Sequence, residues 1–226
     1  MREYSETIPI QYEEGKTRFL GMDMAVDRRV LIPRPETELL VEVAAEFCRD
    51  MSGRKPFILD LCTGSGAVSL ALERILGTCR VIGSDISEDA IDVARENLKR
   101  FGKEDVIDLV VSDMFSAFGP EYEGAFDCIV SNPPYVSEKD YEKLDAWVRA
   151  EPKIALYAGK EGMDYLEVIA GHSRRFLRPG GFVAVEIGYD QADKVKSALA
   201  MNGFAGIESF KDTGGHERVI AGWKNG

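Results

Sequence analysis

The chain is poor in the residues that hold metals and staple small folds. Its 226 residues include two histidines and four cysteines, and Cys48, Cys62, Cys79 and Cys128 are too far apart for a C-x-x-C pair. No zinc spacing can be written from that set, so no metal is expected. Reduced thiols of an intracellular protein are the simplest reading. Positive charge is also in deficit: 28 Lys and Arg stand against 39 Asp and Glu, a formal charge of -11. That balance argues against a protein that neutralises many phosphates, so no stable nucleic-acid binding is expected. No apolar run reaches membrane-spanning length, and residues 1–6 lack the apolar core of a signal peptide. A cytoplasmic protein with no membrane partner is therefore expected. Hydrophobic residues at 45% and charged residues at 30% are ordinary values, and a chain of this length can close a core unaided.

Residues 8–32 read as short extended pieces broken at Glu14-Gly15 and Gly21, with 18–20 and 30–32 as the strands of a hairpin. Pro33-Arg34-Pro35 stops regular structure, and the next helix sets Leu39, Leu40, Val43, Ala44 and Phe47 on one face. Strands and helices then alternate. Strand candidates fall at 57–59, 79–83, 106–111, 126–130 and 182–187. Helices fall at 67–76, around Ile91, Ala94, Leu98 and Phe101, near 162–178 and at 190–202. Arg178-Pro179-Gly180-Gly181 is expected to end the third of these helices. Two last strand-like runs, 204–210 and 217–223, are joined by Asp212-Thr213-Gly214-Gly215. The alternation predicts an α/β fold with a mostly parallel sheet and an antiparallel pair at one side. Its expected parts are an N-terminal arm and hairpin over 1–34 and a catalytic domain over 35–226.

Asp60-Leu61-Cys62-Thr63-Gly64-Ser65-Gly66 follows the first strand of this alternation and opens a helix. Glycines there let the chain turn sharply and a ligand approach the backbone. Alone, the loop could be a plain tight turn. Two features sharpen it: Ser69 stands where the dinucleotide fingerprint needs a third glycine, and acidic Asp60 precedes the loop, where a pyrophosphate would be repelled. An acid there suits a cation such as the amino group of a methionine moiety. Asp85 ends the next strand, 19 residues after Gly66, where a carboxylate can accept both ribose hydroxyls. Asp113 ends the third and could accept from an adenine amine, with Met114 as an apolar wall beside the ring. Together these residues read as an S-adenosylmethionine (SAM) site ahead of an NAD site.

Ser131-Asn132-Pro133-Pro134-Tyr135 follows the fourth strand. Two prolines make a rigid turn in any case. The chemical reading is that the Asn132 side-chain oxygen and the Pro133 carbonyl accept from one planar –NH₂ group, while the Tyr135 ring covers its flat face. Beside a SAM loop, this points to methyl transfer onto a planar nitrogen. Such a transfer asks the protein for alignment and for dipoles that favour the developing charge, rather than for a nucleophile.

With these motifs the sequence resembles the peptide chain release factor N5-glutamine methyltransferases, over about residues 8–222. The pieces that carry the resemblance are Val30-Leu31-Ile32-Pro33-Arg34-Pro35-Glu36-Thr37-Glu38, the 60–66 loop, Asn132 to Tyr135, Glu151-Pro152 with Ala155-Leu156, and residues 214–219. The resemblance implies a class I SAM-dependent methyltransferase sheet, Rossmann-like and seven-stranded, with the last two strands antiparallel, behind a short N-terminal β-hairpin. It implies methylation of the Gly-Gly-Gln glutamine of release factors, with S-adenosylhomocysteine as the other product. Asp60, Cys62, Thr63, Gly64, Ser65, Gly66, Asp85, Asp113, Met114 and Asn132 would then hold SAM. Asn132, Pro133, Pro134 and Tyr135 would hold the glutamine amide, with Arg34 and Pro35 at the mouth. Cys62 stands where the family commonly has glycine. Many bacterial members carry an N-terminal helical domain where this chain has about seven residues, so docking would call on such a domain or on a partner protein.

A ribosomal-protein glutamine methyltransferase and an N6-adenine methyltransferase share the N-P-P-Y motif, the second gripping a flipped base. A SAM-binding scaffold without activity would have no need of Asn132 and Tyr135. His172 is expected on a solvated face, and His216 in a structural turn. Glu186 either lines the pocket or makes a structural hydrogen bond.

Overall fold

The computed structural model describes residues 8–49 and 54–226, so the first seven residues of the expected arm lie outside the described part. A short helix, α1 (Ile10–Glu14), leads into an antiparallel hairpin of β1 (Lys16–Phe19) and β2 (Met22–Ala25). Leu20 and Gly21 join them at φ 45° and 76°, and two successive positive φ values give a turn whose twist matches antiparallel strands. The second hairpin strand is thus 22–25 and not residues 30–32. Those residues cannot join a ladder because side chains already hold their backbone: Tyr12 Oη donates to the Val30 carbonyl at 2.5 Å, and Ile32 N donates to Glu151 Oε2 at 3.0 Å.

The chain continues through α2 (Pro35–Arg49), β3 (Phe57–Leu61), α3 (Ala67–Leu76), β4 (Arg80–Asp85), α4 (Glu88–Phe101), β5 (Ile107–Val111) and β6 (Phe126–Ser131). Two one-turn helices, α5 (Glu138–Tyr141) and α6 (Ala146–Arg149), precede α7 (Asp164–Phe176). The last elements are β7 (Leu177–Glu186), α8 (Ala192–Met201), β8 (Phe204–Lys211) and β9 (Glu217–Lys224). Arg178–Gly181 lies just past the end of α7, as the sequence suggests. The helix stops at Phe176, and these residues belong to β7, where the register to β6 shifts between Phe126 and Cys128. The irregularity absorbs the Pro-Gly-Gly turn signal inside a strand.

Seven strands form one sheet in the order β5-β4-β3-β6-β7-β9-β8, parallel from β5 to β7, with β9 antiparallel to both β7 and β8. Side chains alternate to opposite faces of a strand, and both faces here are covered. Ile58, Val81, Cys128, Val130, Phe182 and Ala184 pack with α2, α3 and the hairpin residues Phe19, Met22 and Met24. Leu59, Leu61, Ile129, Val183 and Val185 pack with α7 and α8. That two-sided burial is why the strands read as continuous apolar runs. The four cysteines are free thiols. Among the described residues no helix is long and apolar enough to cross a membrane.

The strand order reverses between β3 and β6. Chain from β3 steps outward to β4 and β5, whereas β6 begins the other half of the sheet. In open α/β sheets the crevice at such a reversal, at the carboxyl ends of the strands, is where ligands bind.

Candidate active site

A cleft lies at that crevice, and the ends of β3, β4, β5 and β6 each contribute to it. From β3 come Cys62, Thr63, Gly64 and Ser65; from β4, Asp85; from β5, Asp113 and Met114; and from β6, Asn132 and Pro134. Residues scattered over 70 positions of sequence thus share one wall system, as the loop motifs predict. Val30, Leu31, Pro33 and Thr37 close it from the hairpin side, and Pro152, Ile154, Ala155 and Tyr165 from the other.

The glycine-rich loop is held open by its own chemistry. Cys62, Gly64 and Gly66 adopt φ of 59°, 54° and 79°, a left-handed conformation that only glycine takes without cost. Cys62 therefore carries strain at a position where glycine would be relaxed. Gly66 caps α3 and has the Ala94 side chain pressed against the place a Cβ would occupy, 3.3 Å away. Asp60 does not line the cleft. It lies beneath the loop, where its Oδ2 accepts from Thr63 Oγ1 at 2.6 Å, Ser69 Oγ at 2.6 Å and Ser69 N at 3.1 Å. Burial lifts its pKa to about 6 against those hydrogen bonds. Ser69, which breaks the dinucleotide fingerprint, is the partner that Asp60 needs.

Asp85 braces the loop while facing the cleft. Its Oδ2 accepts from Gly64 N at 2.9 Å and its Oδ1 from Ser87 N at 3.0 Å, and burial raises its pKa in spite of them. Asp113 is exposed on the wall, and Met114 follows at φ 48° with its sulfur 4.0 Å from Cys62 Sγ. Behind the loop, Asn97 of α4 ties three segments together. Its Oδ1 accepts from Ala25 N at 2.7 Å, and its Nδ2 donates to the carbonyls of Ala25 and Ser65 at 3.0 and 2.9 Å.

At the β6 end, Asn132 and Pro134 reach the cleft, while Pro133 is buried and Tyr135 turns inward. Asn132 Nδ2 donates to Thr37 Oγ1 at 3.0 Å. The Tyr135 hydroxyl donates to Glu186 Oε1 at 3.2 Å, and its carbonyl accepts from Gln191 Nε2 at 3.0 Å. Burial, reinforced by the Glu186 charge, drives the Tyr135 pKa far up. Glu186 is itself fully buried, its pKa lifted to about 7 by desolvation.

Arg34 and Pro35 lie off the cleft wall. Arg34 pairs with Glu151 and sets its guanidinium 5.6 Å from the Trp147 ring centroid. The same carboxyl receives Ile32 N, so two sequence segments 119 positions apart are clamped where both meet the cleft. His216 stays in the β8–β9 turn, its N–H donating to Asp212 Oδ1 at 3.0 Å. Asn97 is absent from the sequence reading, and Thr37 and Glu151 enter it only as members of the motifs that carry the resemblance. Each acts on a partner distant in sequence, which no local pattern records.

The chemistry of the cleft suits an adenosyl sulfonium. It offers a carboxylate at the β4 end for vicinal hydroxyls, a close-approach loop and apolar surface from Met114, Ile86 and Tyr165, and Arg29, the basic residue on its walls, is paired with Asp27 and Glu96. Residues 58–150 match the methyltransferase domain family. A release factor glutamine methyltransferase of Clostridium acetobutylicum is 39% identical, over 97% of this chain and 76% of that protein. The crystal structure of a release-factor-specific protein-(glutamine-N5) methyltransferase from Alicyclobacillus acidocaldarius superposes with a TM-score of 0.54 at 26% identity, covering 86% of this chain and 95% of that one. A methyltransferase from Pyrococcus furiosus shares the fold with a TM-score of 0.66 at 20% identity, over 91% of this chain and 90% of that one.

Proposed function

The chain belongs to the release factor glutamine methyltransferase family, and from that premise we propose that it methylates the side-chain amide nitrogen of the glutamine in the Gly-Gly-Gln motif of peptide chain release factors. The observation that carries the reading is Asn132. Its amide lies on the wall of the cleft that also holds Asp85 and the glycine-rich loop, with the rigid Pro133-Pro134 turn behind it.

SAM, when bound, supplies a methyl group already activated on a sulfonium. The chain's own residues would hold it: Asp85 would receive the ribose hydroxyls, the 62–66 loop would let the methionine end lie against backbone, and Asp113 with Met114 would receive the adenine. Asn132 Oδ1 and the Pro133 carbonyl accept the two N–H groups of the acceptor amide. That contact turns the nitrogen lone pair out of conjugation and grows stronger as positive charge develops, which is differential stabilisation of the transition state. Tyr135 supports the turn from behind through Glu186 and Gln191. The net charge of -11 suits a basic protein loop that otherwise meets RNA.

Labelled SAM offered with a release factor, its Gln→Ala variant, ribosomal protein and DNA in parallel tests the reading. Label on the release factor that vanishes with the Gln→Ala change is the expected result. Label on ribosomal protein or DNA alone would refute the assigned acceptor. Raising salt should weaken release-factor binding.

A further inference from the structure

Glycine takes positive and negative φ about equally readily, so a loop built on Gly64 and Gly66 does not by itself fix which way the peptide between Ser65 and Gly66 faces. In this structure both ends of that peptide are held. Gly66 N donates to the Thr63 carbonyl at 2.8 Å within the loop, and the Ser65 carbonyl accepts from Asn97 Nδ2 at 2.9 Å. Asn97 belongs to α4, is fully buried and lies behind the loop rather than on the cleft wall. The Ser65 carbonyl is therefore turned into the protein, although Ser65 itself lines the cleft. The helix comes this close because position 66 has no side chain. A Cβ on Gly66 would stand 3.3 Å from Ala94 Cβ and 3.5 Å from Leu98 Cδ1, and residues three and four apart share one helix face, so Asn97 sits on that face too.

The hairpin decides which way round the Asn97 amide sits. An amide has an oxygen end that accepts and a nitrogen end that donates, and its hydrogen bonds settle the orientation. Ala25, the last residue of β2, presents both of its backbone groups to Asn97. Its N–H donates to Oδ1 at 2.7 Å, and its carbonyl accepts from Nδ2 at 3.0 Å. An N–H can meet only the oxygen end, so Ala25 keys the amide. Nδ2 then has one hydrogen left, and it goes to Ser65. Docking the hairpin would need only the two bonds to Ala25; the third reaches the ligand loop.

We propose that Asn97 is the positioning residue of the cofactor loop: keyed by Ala25, it holds the Ser65 peptide with its carbonyl out of the cleft and so sets the affinity for SAM. The proposal rests on the reading of the 62–66 loop as the surface against which the methionine end lies. Freed from Asn97, the peptide can turn about Gly66 with little steric resistance. Its carbonyl then points into the cleft and fills the space through which a ligand approaches the backbone. A loop set beforehand leaves the ligand nothing to order on binding, which is affinity gained by preorganisation. Asn97 touches neither the cleft nor the turn at Asn132, so its loss should weaken binding of SAM and leave the transfer step alone.

The test compares Asn97→Asp and Arg100→Ala with the parent protein, measuring SAM affinity by calorimetry, KM for SAM, kcat and the melting midpoint. Arg100 is the control. It lies on the same helix and holds the same hairpin, Nη1 donating to the Asp23 carbonyl at 3.0 Å, but makes no bond to the loop. Asn97→Asp keeps an oxygen for Ala25 N and loses both donors, so it should weaken SAM binding about tenfold or more. KM for SAM should rise in step, with kcat at saturating SAM within about twofold of the parent. Arg100→Ala should keep SAM affinity within about twofold. Parent-like affinity in Asn97→Asp, a fall in kcat without a rise in KM, or an equal loss of affinity in Arg100→Ala would each overturn the proposal. A second readout needs neither a variant nor SAM. In ¹³C,¹⁵N-labelled parent protein, Asn97 Nδ2 should couple across the hydrogen bond to the Ser65 carbonyl carbon. Its –NH₂ should exchange slowly with solvent, both before and after SAM is added. Fast exchange, or a coupling seen only with SAM bound, would overturn the preset loop. Failure of the parent protein to bind SAM with that coupling intact would instead refute the reading of the cleft.

Discussion

Glu151 offers a prediction in which the two obvious substitutions should part company. Its carboxyl is fully buried, accepts from Ile32 N at 3.0 Å and pairs with Arg34, whose side chain is 23% exposed. Burial raises its pKa, outweighing the pull of Arg34, so holding the charge there yields no net gain. Removing the carboxyl is another matter, because it orphans a buried N–H and half strands a guanidinium. Breaking a buried pair costs about 3–5 kcal/mol, and a hydrogen bond to a charged group contributes about 1.5–3 kcal/mol. Arg34 keeps some water, so Glu151→Ala should cost about 2–4 kcal/mol. Glu151→Gln keeps an oxygen for Ile32 and sheds a desolvated charge, and should cost about 1 kcal/mol or less. Urea unfolding of both variants, with Arg34→Ala and the double mutant, reads these values. The cycle should show a coupling of about 1 kcal/mol or more. The pH dependence has a definite sign. A raised folded pKa means the folded state binds the proton more tightly, so stability from this group is full below the unfolded pKa and is lost as pH rises through the folded one. Acid should therefore not unlock the clamp. Equal losses for Ala and Gln, or additivity of Glu151→Ala with Arg34→Ala, would refute the reasoning.

Asp85→Asn should weaken SAM binding by about tenfold or more, since the site exchanges a charged acceptor for a neutral one; calorimetry with SAM would show it, and unchanged affinity would remove Asp85 from the site. Gly162 has φ +71°, and a Cβ there would stand 2.4 Å from the Tyr135 carbonyl oxygen. Gly162→Ala should therefore lower stability by about 2 kcal/mol or more and reduce kcat by moving the turn, seen in a thermal melt beside the transfer assay. Cys62, at φ 59°, should accept glycine within about 1 kcal/mol but lose about 2 kcal/mol as valine, whose branched side chain tolerates the left-handed region least; equal melting points for the two variants would contradict that account.

Much of this protein is legible in its sequence because apolar periodicity and turn residues report local geometry directly. The helix at Ala67–Leu76 and the strands β3 to β6 fall where the alternation places them. The 62–66 loop, Asp85, Asp113 and Asn132 meet because strand-end positions in a parallel sheet converge on one edge. Periodicity says which face of an element is buried, but not against what. It therefore misplaces the second hairpin strand, where the bonds that decide the matter come from Tyr12 and Glu151. It starts the fifth strand at residue 182, whereas β7 already begins at Leu177. It is silent on Asn132 with Thr37, 95 positions apart, and on Tyr135 with Glu186, 51 apart. A hydrogen bond between distant segments leaves no spacing to read. The chemistry of the loops was thus written locally, whereas the polarity and pKa of the groups around them were decided by tertiary burial, which sets who accepts from whom and which charges lose their water.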